Sequence, residues 1–118
     1  MKKWAVLAGA GLCAVVLTTA VMTADETITG RLVEAGCGAM AGDNPSPGHV
    51  ACMVRCVQAG EAIGIVTADG MYKVTGDWAA NHPDELVALM AKQVRATGET
   101  SEAGGERLLA ATRIVAAD

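Results

Sequence analysis

Residues 62–75 read A-I-G-I-V-T-A-D-G-M-Y-K-V-T, and this stretch decides the fold. Residues 62–67 are a short run of apolar and β-branched side chains, Asp69-Gly70 is a tight-turn pair, and residues 71–75 are a matching run on the return. An Asp-Gly pair between two such runs is the strongest short-range signal of a β-hairpin, because glycine accepts the positive φ that a tight turn demands. The rest of the chain is read outward from these two strands.

Upstream, residues 27–35 (T-I-T-G-R-L-V-E-A) form a further strand, with Gly30 as a bend or bulge. Residues 36–48 are rich in Gly, Pro, Asn and Asp and read as a loop. Ser46-Pro47 then starts a helix over 47–59. The serine oxygen can take a free N–H, and proline suits the first helical position, where its missing N–H would have had no partner. Gly60 is placed to end that helix in the left-handed conformation.

Downstream, residues 81–92 predict a second helix. Pro83, Asp84 and Glu85 suit its first turn, and Leu86, Val87, Leu89 and Met90 share one face. Residues 93–100 and 107–116 are the last two strands, joined around Gly104-Gly105. Five strands with a helix between the third and fourth is the order of a small oligonucleotide/oligosaccharide-binding (OB) barrel. The expected architecture is thus mainly β with two helices, a five-stranded OB-like barrel carrying a helix-bearing insertion after its first strand.

The N-terminus has a separate logic. Met-Lys-Lys-Trp is followed by an uncharged apolar stretch of about 17 residues and a small-residue exit, the three parts of a secretory signal. Residues 1–24 are read as a signal peptide, cut after Ala24 or after Ala20, and residues 25–118 as a single exported domain, periplasmic or secreted. The alternative is an uncleaved anchor, which would make the signal segment the chain's one membrane contact. Cys13 leaves with a cleaved signal, so three cysteines remain.

Without Lys2 and Lys3, seven basic residues face thirteen acidic ones, a net charge of −6. No basic patch is available to release counterions, which argues against a nucleic-acid partner. Phe is absent and only Tyr72 and Trp78 remain as aromatics after residue 24, so the core must be built from Val, Ile, Leu, Ala and Met.

The candidate site is Cys37, His49, Cys52 and Cys56, spaced C-x11-H-x2-C-x3-C. At about 100° per residue, His49, Cys52 and Cys56 fall within roughly 60° of one another on one face of the helix from Pro47. Cys37 lies where the first strand leaves the sheet, and the loop can fold it over that face. Three thiols and one imidazole are the Cys3His set of a tetrahedral zinc site, and soft thiolates equally suit copper or an iron–sulfur cluster. Met40 and Met53 flank the group as packing residues that double as potential thioether ligands.

Two other readings compete with the metal. Exported cysteines usually pair, so a Cys37–Cys52 or Cys37–Cys56 disulfide would tie the loop to the helix, in a module that binds a protein or cell-envelope ligand. The third is thiol–disulfide redox chemistry, although the pair is C-x3-C rather than C-x2-C. His82 has no such company and reads as a structural residue near the second helix. No Ser/His/Asp arrangement, phosphate-cradling glycine loop or metalloprotease motif is present, so binding is favoured over catalysis.

These residues also carry a resemblance. The run T-I-T-G from Thr27, Cys37-Gly38, His49-x2-Cys52-x3-Cys56, Gly60-x3-Gly64, Gly70-Met-Tyr-Lys-Val and Val94-x-Ala-Thr-Gly98 resembles an uncharacterised family of small exported bacterial proteins. The resemblance implies a barrel-like β fold and a family pattern containing Cys37, Cys52 and Cys56, which His49 matches less closely. Members often carry a lysine- or aromatic-rich loop after the first cysteine. Here that loop reads A-M-A-G-D-N-P-S-P-G.

Overall fold

The computed structural model describes residues 9, 11, 14, 15, 25–37 and 45–117. The signal segment with its two cleavage sites falls almost wholly outside them, as do Cys13 and Met40. Among the described residues, no helix is long and apolar enough to cross a membrane.

The elements run β1 (Glu26–Glu34), α1 (Pro47–Gln58), β2 (Ile63–Thr67), β3 (Gly70–Thr75), α2 (Asp77–Asn81), α3 (Pro83–Leu89), β4 (Gln93–Ala103) and β5 (Glu106–Ala116). The strands close into a barrel in the order β1-β2-β3-β5-β4. Every neighbouring pair is antiparallel except β3 and β5, which run parallel from Tyr72↔Arg107 to Thr75↔Ala110. A parallel pair needs a long crossover, and α2, α3 and β4 supply it. The expected five-stranded OB-like barrel with a helix inserted after the first strand is what the chain forms.

β1 serves two neighbours. Residues 26–31 pair with β4 and residues 31–34 with β2, so Arg31 belongs to both ladders. Gly30 sits just before this handover, and its register to Val94 is regular, with no bulge. Its role is close approach: a Cβ there would run into the Val66 carbonyl and the Ile65 side chain. The register shift lies instead at Thr97/Gly98, where a Cβ on Gly98 would collide with the Ala110 carbonyl.

The β2–β3 hairpin turns one residue earlier than the Asp-Gly pair suggests. Thr67 pairs with Gly70, leaving Ala68 and Asp69 as the loop. The Thr67 hydroxyl accepts the Asp69 N–H at 3.2 Å and donates to the Gly70 carbonyl at 2.8 Å, and Gly70 takes φ 126°. The β4–β5 hairpin is longer than expected, because Gly104 (φ 59°) and Gly105 (φ 81°) close it in a two-residue turn and let pairing reach Ala103↔Glu106.

The helix expected over 81–92 is α3, and a further short helix, α2, precedes it where none was expected. His82 has φ −130° and ψ 47°, because the residue before a proline is pushed out of the helical region, and it separates α2 from α3. α3 also stops at Leu89 rather than at Lys92. Ala91 takes φ 65° so that its N–H can reach the Leu32 carbonyl at 2.7 Å, while Leu32 donates to the Lys92 carbonyl at 3.0 Å. Tertiary pairing with β1 ends the helix.

Two apolar clusters result. The barrel interior holds Leu32, Ile63, Ile65, Val74, Val94, Leu109 and Ile114, with Leu86 of α3 closing one end. Outside the wall, Val33 meets Met53 of α1 and Met90, flanked by Val50, Val54, Val57, Val66 and Met71. Adjacent residues of β1 thus feed opposite clusters, as strand alternation requires. The second cluster fixes α1 against the barrel, and this positions the candidate site.

Candidate functional site

α1 begins as its sequence predicts. The Ser46 Oγ accepts the His49 N–H at 3.3 Å, and Pro47 occupies the first helical position. At its end the Cys56 carbonyl accepts N–H groups from Ala59 and Glu61, and Gly60 takes φ 97°. Val50, Met53, Val54 and Val57 form the stripe that meets the barrel. His49, Cys52 and Cys56 lie roughly 100° around the helix from that stripe, on the flank next to the end of β1.

Cys37 is exposed, on the turn that leaves β1, and Cys52 and Cys56 are half-buried; none is in a disulfide. Cys52 and Cys56 lie one helical turn apart, close enough for Cys56 to feel Cys52, and Cys37 lies close enough to feel the charge of both. The three cysteines expected to form one group are therefore neighbours. The Nε2 atom of His49 is buried and has no hydrogen-bond partner among the described residues. Among the described residues, no three His, Cys, Asp or Glu side chains are already gathered tightly enough to hold a metal ion.

The residue that sequence reading missed is Glu34. It is the last residue of β1, opposite Ile63, and is 4% exposed. Alternation places it on the face of Leu32 and Ile28, at the rim of the barrel interior. One carboxylate oxygen accepts the Gly36 N–H at 2.7 Å and the other accepts the Cys37 N–H at 2.6 Å. The Cys37 thiol lies close enough to the same carboxylate to interact with it. A charged residue at an inward position of an apolar strand, three residues before a cysteine, is the sequence signal that points to it.

The electrostatics follow from this arrangement. Burial works to raise the Glu34 pKa, but the Gly36 and Cys37 N–H groups and the Cys37 thiol together outweigh it, and the carboxyl titrates below its ordinary value. The Cys37 thiol is pushed up, first by its hydrogen bond to Glu34 and by that group's charge, then by desolvation and the other two thiols. Burial and the neighbouring Cys52 push Cys56 up as well, with Glu34 and Glu61 adding to the effect. These directions are opposite to that of an activated thiolate, whose pKa is depressed.

The remaining candidates separate cleanly. Met53 is fully buried in the second cluster, so it packs and does not face the thiols, and Met40 lies outside the described residues. His82 stacks on Trp78 with ring centroids 4.2 Å apart and planes 11° from parallel. Its Nδ1 is 2.7 Å from the Trp78 carbonyl, which can only accept, so Nδ1 carries the proton. A cleft of about 610 Å³ is lined by Glu34, Gly36, Glu61, Lys73 and Arg107 among others, and by none of the three cysteines. The barrel and its thiol-bearing insertion were compared with protein families, curated proteins and solved structures, and none matches this chain.

Proposed function

We propose that this protein is an exported binding domain whose Cys37, Cys52 and Cys56 thiols, with His49 as a fourth donor, hold a thiophilic metal: zinc, copper or an iron–sulfur cluster. The observation that carries the reading is the convergence of three thiols from two separate segments beside a carboxylate. Each thiolate formed there opposes the next, because Cys37 feels Cys52 and Cys56, Cys56 feels Cys52, and both Cys37 and Cys56 feel Glu34. A cation relieves that repulsion and replaces the protons, whereas a single disulfide would leave one half-buried thiol over. The buried Nε2 of His49 supports the fourth position, since an unpartnered buried nitrogen costs about 1–3 kcal/mol unless something binds it.

The site would close as metal enters. Cys37 would supply its thiol from the turn after β1, while α1 would hold the other donors on a rigid platform. Export is supported by the basic start, apolar middle and small-residue exit of residues 1–24. The test is metal analysis with thiol counting on protein isolated from the periplasm without chelating resin. Stoichiometric metal that is lost in His49→Ala and in Cys52→Ser is the expected result. Two protected cysteines, one free thiol and no metal would overturn the reading in favour of a disulfide-tied module.

A further inference from the structure

We propose that Glu34 is the positioning residue of the thiol site, aiming Cys37 at α1 by clamping the turn after β1 through both carboxylate oxygens. The proposal rests on treating the three thiols as one site, but its test needs no metal, so the two can fail separately.

Three hydrogen bonds define the turn. Ala35 donates to the Ala62 carbonyl at 2.8 Å, which fixes its start to the segment entering β2. The next two N–H groups, of Gly36 and Cys37, both go to Glu34. One side chain thus takes the main-chain donors of both residues that lead up to the thiol. Its anchor is firm, because Glu34 lies within the β1–β2 ladder and is almost wholly buried at the barrel rim.

The fit is close on the other side too. A Cβ on Gly36 would lie 3.1 Å from one carboxylate oxygen and 3.5 Å from the other, so a side chain there would press on the carboxylate and make it give by a few tenths of an ångström. The chemistry restricts residue 34 as well. Glutamine offers one acceptor and turns an NH2 donor towards the second N–H. An ionised carboxylate supplies the two acceptor oxygens that this turn uses. Bonds to a carboxylate are the stronger kind, so the clamp directs Cys37 more firmly than a neutral turn would.

The experiment uses the full chain carrying Cys13→Ser and a short bis-alkylating thiol reagent, with the cross-linked pairs located by peptide mass mapping. In the parent, Cys37 joins Cys52 or Cys56, alongside a Cys52–Cys56 product. In Glu34→Ala, the yield of Cys37 cross-links should fall roughly tenfold relative to the Cys52–Cys56 product, the effect of losing two charge-assisted bonds. Glu34→Gln should be intermediate. A general loss of structure would change both products together, whereas a positioning role changes their ratio. An unchanged ratio in folded Glu34→Ala overturns the proposal. If that variant does not fold, Glu34→Gln keeps the length of the side chain and removes one of the two acceptors. It should lower the same ratio, and a parent-like ratio there overturns the proposal equally.

Discussion

The inside of the barrel and the flank of α1 obey different rules. The buried interior is aliphatic, from Leu32 and Ile65 to Leu109 and Ile114, and those side chains carry no hydrogen-bonding group. The flank carries a carboxylate, three thiols and an imidazole within one turn and one helix face. The interior supplies stability that depends on volume and tolerates exchange among similar side chains. The flank depends on direction, because each polar group there needs a particular partner. The difference teaches that this protein separates holding the fold from presenting chemistry, and Glu34, rooted in the one and reaching into the other, is the link.

The sharpest way to break that comparison is to empty the interior. Leu32→Ala should lower stability by about 2–5 kcal/mol, as for other fully buried leucines. Cys52→Ser on the flank should change it by less than about 1 kcal/mol. Urea unfolding measures both, and a Cys52→Ser loss equal to that of Leu32→Ala would erase the distinction. Met53→Ala tests the layer between the regions. A loss of about 2 kcal/mol is expected, at the low end for buried methionine because the second cluster is small enough to collapse. The same substitution should lower the Cys37-to-helix cross-link while leaving the strands intact by circular dichroism.

Acid titration comes next. Because the Glu34 pKa is lower folded than unfolded, its contribution is present above the ordinary carboxylate range and lost as pH falls through the lowered value. Wild type should therefore exceed Glu34→Gln at neutral pH by about 1–2 kcal/mol, and the gap should narrow on acidification. A constant gap from neutral pH to acid would show that the charge of Glu34 is not what stabilises the turn. The smallest effect is kinetic. Cys37 is exposed yet has a raised pKa, so at neutral pH it should alkylate more slowly than the same thiol in the unfolded chain, and faster again in Glu34→Gln. A Cys37 that outpaces the unfolded thiol would restore the redox reading.

The barrel was legible in the sequence because its signals are local. The turn residues, the β-branched runs and the Ser46-Pro47 helix start each act within a few positions, and together they dictated strand order, the inserted helix and an aliphatic core. The spacing of His49, Cys52 and Cys56 dictated their common helix face for the same reason, since helical geometry is fixed by the backbone alone. Long-range contacts decided the rest. The break at His82 follows from Pro83, but the early end of α3 depends on Leu32, some sixty positions away, taking the Ala91 N–H. Gly30 owes its place to the Val66 carbonyl of a neighbouring strand, and the bulge belongs to Gly98 because of Ala110. At the site, helix periodicity placed two thiols and the imidazole, while only the closed barrel brought Cys37 to them. The partner of that turn is a glutamate whose burial and hydrogen bonds exist once β1 and β2 have paired.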